Sequence, residues 1–478
     1  MRQLRKTKII CTIGPASDSE DMLVKLIDAG MNVARLNFSH GTHSEHKDRI
    51  DKIKAAREKC DEPIAIMLDT KGPEFRVKQF VDGYVDLNDG QEFILTTDEV
   101  EGDNTRVSVT YKDLTQDLDV NDIILANDGL IKLQVTKIVD TNIHCNVVVG
   151  GKLSNNKSLN FPGKSMDMEY LSDNDKSDIL FGIENDVDYI ACSFVSCAKD
   201  VKSVRKFLDE NGGEEIDIIA KIENQSGIDN LKSILKHCIG AMVARGDLGV
   251  EIPYDELPGI QKSIINKCSK YGKIAITATE MLESMIEKPR PTRAEVSDIG
   301  NAVFDGVCAI MLSGETAMGK YPIESVKVMS KIALSSELSK AFPYRKRKEI
   351  SIYDNESAKS AIAHGTFTMA DDSEANIILN FTESGEGSVT LSHFRSKINI
   401  VSAAYNKKEY NKLSLYWSVL PFYIRKDSFN SFIALSTYYI EEVIRYFDLH
   451  KDDKIVVCYA WLDSRHNLGN GVEIYVVK

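Results

Sequence analysis

The chain has 478 residues, 43% of them hydrophobic and 27% charged, values of a folded globular protein rather than of a disordered or membrane-spanning one. With 59 basic against 72 acidic residues the net charge is −13, which excludes a broad basic face for nucleic acid and requires any anionic ligand to meet locally focused cations. At about 150 residues per domain, the length suggests one large unit with two smaller attachments.

The basic start from Met1 to Lys8 is followed by a short apolar run that Gly14-Pro15 interrupts, so no signal peptide is expected. No stretch approaches the roughly 20 apolar residues of a membrane span. Nine scattered cysteines without a CxxC pair predict reduced thiols and a cytoplasmic location. From Thr7 onward β-branched runs alternate with amphipathic charged stretches: a strand over Lys8 to Thr12, a helix over Asp21 to Ala29, a strand over Asn32 to Leu36, a helix over Ser44 to Arg57 and a strand over Ile64 to Leu68. This βαβαβ rhythm predicts a parallel sheet.

At Lys71-Gly72-Pro73 the rhythm changes. Turn signals such as Asp82-Gly83, Asn88-Asp89-Gly90 and Asn127-Asp128-Gly129 separate alternating segments, which predicts an all-β insert over 71–167 that returns through Phe161-Pro162-Gly163. Strands then recur near Tyr189 to Ser193, Asp217 to Ile222, Ala241 to Ala244, Ile274 to Ala278 and Ala309 to Leu312. Three strands before the insert and five after it make eight, so the fold class expected is α/β, a (β/α)8 barrel over 1–70 and 168–342 that carries an all-β lid. Past the basic run Tyr344 to Lys348, a helix near Ser357 to Thr368 and strands at Ile377 to Asn380, Ile398 to Val401, Lys454 to Tyr459 and Glu473 to Val477 predict a separate C-terminal α/β domain over 343–478.

Five strand-like runs end in polar groups suited to phosphate and a divalent metal: Arg35 to His40, Asp69 to Arg76, Lys221 to Asn224, Ala244 to Gly249 and Ala278 to Met281. In a parallel barrel the loops after the strand ends converge on one face, so these segments predict one pocket. Lys221 and Glu223 alternate along the fifth strand and share a side, although an isolated Lys-x-Glu is ordinarily a solvated pair. Gly246 and Gly249 permit close backbone approach, and Asp247 adds a second hard oxygen ligand, so Glu223 and Asp247 together suit one Mg²⁺. In isolation Arg245-Gly246-Asp247 reads as a turn.

These pieces, with Thr277-Ala-Thr279-Glu280-Met281-Leu282 and Lys288-Pro-Arg-Pro-Thr-Arg-Ala-Glu295, closely resemble pyruvate kinases. The resemblance runs from Cys11-Thr-Ile-Gly-Pro-Ala-Ser17 through Ala34-Arg-Leu-Asn-Phe-Ser-His-Gly41, Asp69-Thr-Lys-Gly-Pro-Glu74 and Met311-Leu-Ser-Gly-Glu-Thr316, covering the whole barrel. It implies transfer of the phosphoryl group of phosphoenolpyruvate to ADP, giving ATP and an enolate that is protonated to pyruvate. In the roles the resemblance implies, Lys221 neutralises the moving phosphoryl group and the enolate, Arg35 grips the phosphate, and Glu223 and Asp247 hold Mg²⁺ or Mn²⁺. The N–H groups of Gly246 and Asp247 receive the substrate carboxylate, and Thr279 relays a solvent proton to the enolate carbon, because a hydroxyl is too weak an acid to supply one itself.

Asn37, Ser39, Asp69 and the Thr70 carbonyl match the family's K⁺ site, with Glu74 in the form associated with K⁺ dependence. Arg76, Lys176, Asn37 and His40 fall on the nucleotide side. As a group His40, His43 and His46 read as structural or solvent-exposed. A homotetramer is a further implication.

Departures from the family pattern are Glu280 where Gln is usual, the hinge Met168-Glu-Tyr170, and the effector region. There Glu386 follows Thr382-Glu-Ser-Gly385, and Trp461-Leu-Asp-Ser-Arg-His466 replaces a Gly-Thr/Ser-rich segment. A carboxylate in place of a guanidinium repels a sugar phosphate, so fructose bisphosphate is expected to activate weakly or not at all. Two competing readings are a catalytically silent relative, suggested by Glu280 and the altered C-terminal loops, and a metal-dependent lyase of 2-oxo acids, which has no use for a lid.

Overall fold

The structure is a computed structural model that describes residues 4–164, 168–344, 358–425, 432–462 and 468–478. Eight parallel strands close a barrel: β1 (Lys8–Thr12), β2 (Val33–Asn37), β3 (Ala65–Asp69), β4 (Tyr189–Cys192), β5 (Asp217–Ile222), β6 (Gly240–Ala244), β7 (Ile274–Ala278) and β8 (Ala309–Leu312). Each strand pairs with its chain neighbours, and β1 closes on β8 with Lys8 opposite Ala309. Nearly every strand residue is buried, because the barrel interior takes one face and the ring of helices the other.

The helices start where the local chemistry dictates. Ser19, Thr42, Ser172 and Thr292 each cap a helix by accepting a backbone N–H from its first turn; at Thr42 and Thr292 a glutamate three residues on completes the exchange, and at Ser172 the partner is Asp175.

Between β3 and β4 the chain leaves to build the lid. A seven-stranded sheet, running in order Phe75–Arg76, Ser158–Asn160, Ile123–Ala126, Ile131–Val139, Asn142–Val149, Glu92–Thr96 and Arg106–Ser108, packs its own core around Phe93, Leu133 and Val135. A single helical turn, Leu114–Asp117, is its one departure from strand and loop among the described residues. Gly72 makes the exit possible. It sits at φ +70°, and an added Cβ would lie 2.9 Å from the Ser193 carbonyl oxygen, so neither the conformation nor the space admits a side chain. The return through Phe161 to Lys164 is a turn closed by Lys164 N–H donating to the Phe161 carbonyl.

The C-terminal sheet runs in order Val419–Tyr423, Asn399–Ala404, Ile377–Thr382, Lys454–Leu462 and Leu468–Val476, with only the last strand antiparallel. The strand Val419–Tyr423 escapes sequence reading because Pro421 interrupts its pattern; as the edge strand it tolerates a missing N–H donor. The replaced effector segment around Ser464 to His466 lies outside the described residues.

Asp188 ties β3 to β4 across the insertion. Its N–H donates to the Ile66 carbonyl at 2.9 Å, and its carboxylate accepts the Ile66 N–H at 2.7 Å. Burial pushes its carboxyl up to about 6, against the opposing pull of that N–H and of Lys408. A carboxyl raised on folding favours the fold while protonated, so its contribution is present below about pH 4 and lost as pH rises through about 6. Asp188→Asn keeps an acceptor without the charge. Its stability relative to the parent should therefore improve by about 2–3 kcal/mol between pH 4 and 7 in urea unfolding; a pH-independent difference would show that Asp188 titrates normally.

Candidate active site

The strand ends bring four charged side chains into one buried cluster. Asp69, at the end of β3 and fully buried, accepts from Arg35 Nε at 2.6 Å through one oxygen and from Lys221 Nζ at 3.0 Å through the other. Arg35 extends a second arm to Thr12 Oγ1 at 2.8 Å, so β1, β2, β3 and β5 meet in a single network. Burial opposes ionisation of Asp69, but the two cations outweigh it and hold its carboxyl below the ordinary range. Lys221 is likewise disfavoured by burial, and Asp69, with a smaller contribution from Glu223, reverses the effect and keeps the ammonium charged.

Ser193, just past β4, was not singled out from the sequence. It accepts from Lys221 Nζ at 2.6 Å and donates to the Thr70 carbonyl at 2.7 Å, holding the ammonium beside Asp69, whose Oδ1 lies 3.3 Å from the same hydroxyl. Its place at a barrel strand end is the signal that could have revealed it. The next residue, Phe194, sits at φ +54° and turns its N–H onto Glu223 Oε2 at 2.6 Å.

Glu223 is fully buried. Its other oxygen, Oε1, lies 3.0 Å from Lys221 Nζ, yet the alignment makes no hydrogen bond there. Burial pushes this carboxyl up to about 8, partly offset by Lys221 and reinforced by the nearby Asp247. A buried oxygen without a hydrogen bond, on a carboxyl that also feels the charge of Asp247, suits a cation. Among the described residues no cluster of three or more His, Cys, Asp or Glu is arranged for a metal, so a divalent ion here would rely on two protein carboxylates, as Mg²⁺ commonly does.

Thr279 follows β7 and carries φ +64°, with Glu280 behind it at +54°. Its hydroxyl accepts the Gly246 N–H at 2.8 Å and donates to the Ala278 carbonyl at 2.6 Å. The Gly246 N–H, expected to face a substrate carboxylate, is thus directed at Thr279.

A cleft of about 1560 Å³ separates the lid from this face of the barrel. His40, Arg76, Gly246, Asp247 and Glu280 line it, whereas Lys221 and Glu223 are buried and do not line it. Arg76 is held by Glu74 at 2.7 Å and by the Asn156 carbonyl, and Glu74 also approaches Lys71. Asn37 Oδ1 accepts the Ser39 N–H, and Asn37 is in register with Asp69, which brings Asn37, Ser39, Asp69 and Thr70 to adjoining strand ends. Lys176 pairs with Glu169 at 2.9 Å and is not part of the cleft wall. Of the histidines, His46 stacks on Phe38 and donates to the His40 carbonyl, while His43 meets Asp178.

Residues 4–326 match the family described as pyruvate kinase, barrel domain, and residues 360–474 match pyruvate kinase, alpha/beta domain. The chain belongs to the pyruvate kinase family. It is 42% identical to a pyruvate kinase of Clostridium acetobutylicum over 99% of this chain and 100% of that protein. It is 45% identical to one of Sporosarcina psychrophila over 99% and 81%, and 47% identical to one of Staphylococcus haemolyticus over 87% and 72%. All nine cysteines are free, and no helix among the described residues is long and apolar enough to cross a membrane.

Because Asp69 neutralises two buried cations, Asp69→Asn should cost about 3–5 kcal/mol in chemical denaturation. Removing one of those cations as well, in Asp69→Asn/Lys221→Met, should recover part of that loss; strictly additive effects would show that the three groups do not share one network.

Proposed function

We propose that this protein transfers the phosphoryl group of phosphoenolpyruvate to ADP, producing ATP and an enolate that is protonated to pyruvate. The observation that carries the reading is the buried Arg35–Asp69–Lys221 network beside the Glu223 oxygen that lacks a hydrogen bond. Phosphoryl transfer needs positive charge held around the moving oxygens and in-line positioning, not a protein nucleophile. Arg35 and Lys221 are preorganised cations, fixed by Asp69, Thr12 and Ser193 before any substrate arrives.

In this reading Arg35 binds the phosphate, and Lys221 stabilises first the transferring group and then the enolate oxygen. Glu223 and Asp247 would hold Mg²⁺ or Mn²⁺, which when bound supplies charge neutralisation between phosphate and enolate oxygens. Asn37, Ser39, Asp69 and the Thr70 carbonyl would hold K⁺. The Asp247 N–H would receive the substrate carboxylate beside the Thr279 hydroxyl, which accepts the Gly246 N–H and passes a solvent proton to the enolate carbon. Arg76, His40 and Asn37, with Lys176 at the periphery, attend the nucleotide. A homotetramer is the assembly we assign, to be read by sedimentation velocity.

A coupled assay of pyruvate formation from phosphoenolpyruvate and ADP should show turnover that falls to background without Mg²⁺ and drops sharply without K⁺; no turnover above blank would refute the activity. Lys221→Met should lower kcat by at least about a hundredfold while circular dichroism stays that of the parent, since the lost charge acts chiefly in the transition state. Near-parental activity would remove Lys221 from this role.

At the effector region, exposed Glu386 opens the helix Glu386–His393 directly after Gly385. Fructose bisphosphate should therefore shift the half-saturating phosphoenolpyruvate concentration by less than about twofold, and strong saturable activation would overturn that expectation.

A further inference from the structure

Thr279 and Glu280 are consecutive non-glycine residues in the left-handed region, and Thr279 is β-branched, for which that conformation is a genuine outlier. Something must hold them there. Arg245, 7% exposed at the start of the helix Arg245–Glu251, directs Nη2 to the Thr279 carbonyl at 2.7 Å and to the Glu280 carbonyl at 3.0 Å, with Nε 3.2 Å from the first. Its remaining arm, Nη1, is anchored on Asp298 at 2.6 Å, on the neighbouring helix Arg293–Asp305. The adjacent Gly246 N–H donates to the Thr279 hydroxyl. Residues 245 and 246 therefore grip both ends of one threonine, its carbonyl and its Oγ1.

We propose that Arg245, braced by Asp298, is a positioning residue for the proton-transfer half of the reaction, holding the Thr279 peptide in its strained conformation so that the hydroxyl meets the enolate carbon. This rests on the reading of Thr279 as the relay. In that step the enolate oxygen pair re-forms the C2 carbonyl, the C2–C3 π pair takes the proton from Thr279 Oγ1, and a solvent proton replaces it, so one water-derived proton ends in the pyruvate methyl group. Rotation about φ of Thr279 moves Cβ and its hydroxyl together, so release of the two carbonyls would swing the hydroxyl away. Arg35 and Lys221, which serve phosphoryl transfer, touch neither Arg245 nor Asp298 in any contact described above. Loss of the clamp should thus burden protonation selectively.

The test uses full-length protein and two readouts. One is exchange of the pyruvate methyl protons with D₂O by NMR, with Mg²⁺, K⁺ and ATP present, the microscopic reverse of enolate protonation. The other is single-turnover ATP formation by rapid quench, which reports phosphoryl transfer alone. Arg245→Met should lower the ratio of exchange to transfer at least tenfold and Asp298→Asn at least threefold, with Arg245→Lys between the parent and Arg245→Met and KM for phosphoenolpyruvate within threefold of the parent. A ratio that stays constant in these variants, or parental exchange in them, overturns the proposal. If Arg245→Met does not fold, Arg245→Lys and Asp298→Asn decide by the same ratio. Thr279→Val separates the two ideas: an unchanged ratio there refutes the relay itself, whereas a lowered ratio there with unchanged Arg245 and Asp298 variants refutes only the clamp.

Discussion

One buried carboxylate organises the mouth of the barrel. Asp69 carries no exposed surface, yet each of its oxygens receives a cation, Arg35 from β2 and Lys221 from β5. Neither cation could be kept at such depth alone, because removing a charge from water is far costlier than a surface ion pair can offset. With Asp69 between them both stay ionised and fixed. The site is therefore charged and rigid before substrate enters, which is what electrostatic stabilisation of a moving phosphoryl group requires.

Positive-φ backbone gathers on the same face of the barrel. Gly72, Phe194, Thr279 and Glu280 all adopt positive φ. Gly72 clears the lid's exit past Ser193, Phe194 delivers its N–H to Glu223, and the Thr279 hydroxyl accepts the Gly246 N–H. Such conformations persist only where surrounding contacts over-determine them, and here those contacts come from neighbouring strand ends.

The lid belongs to the same design. Asn160, in the strand that leads back to the barrel, donates to Glu251 at 2.9 Å, and Gly129 at a lid hairpin faces Val250. Both partners sit at the end of the helix that begins with Arg245 and contains Asp247. The helix carrying a proposed metal ligand is thus touched by the lid at one end and clamps Thr279 at the other, so lid position and site geometry share one element.

Strand periodicity and turn chemistry are local properties, so the eight barrel strands, the lid after the third and a C-terminal α/β domain are legible in the sequence. The segments that hold Arg35, Asp69, Lys221, Glu223, Asp247 and Thr279 are legible as strand ends that converge in a parallel barrel, whereas the roles proposed for these residues come from the family resemblance. What the sequence did not determine was who pairs with whom. That Asp69 joins Arg35 to Lys221, that Ser193 braces the ammonium and that Arg245 reaches Thr279 depend on strands and loops meeting across long chain separations, and on side-chain reach that no spacing encodes. Pro421 hid an edge strand for the converse reason: its local chemistry argues against a strand, and only its place at the border of the sheet makes it acceptable.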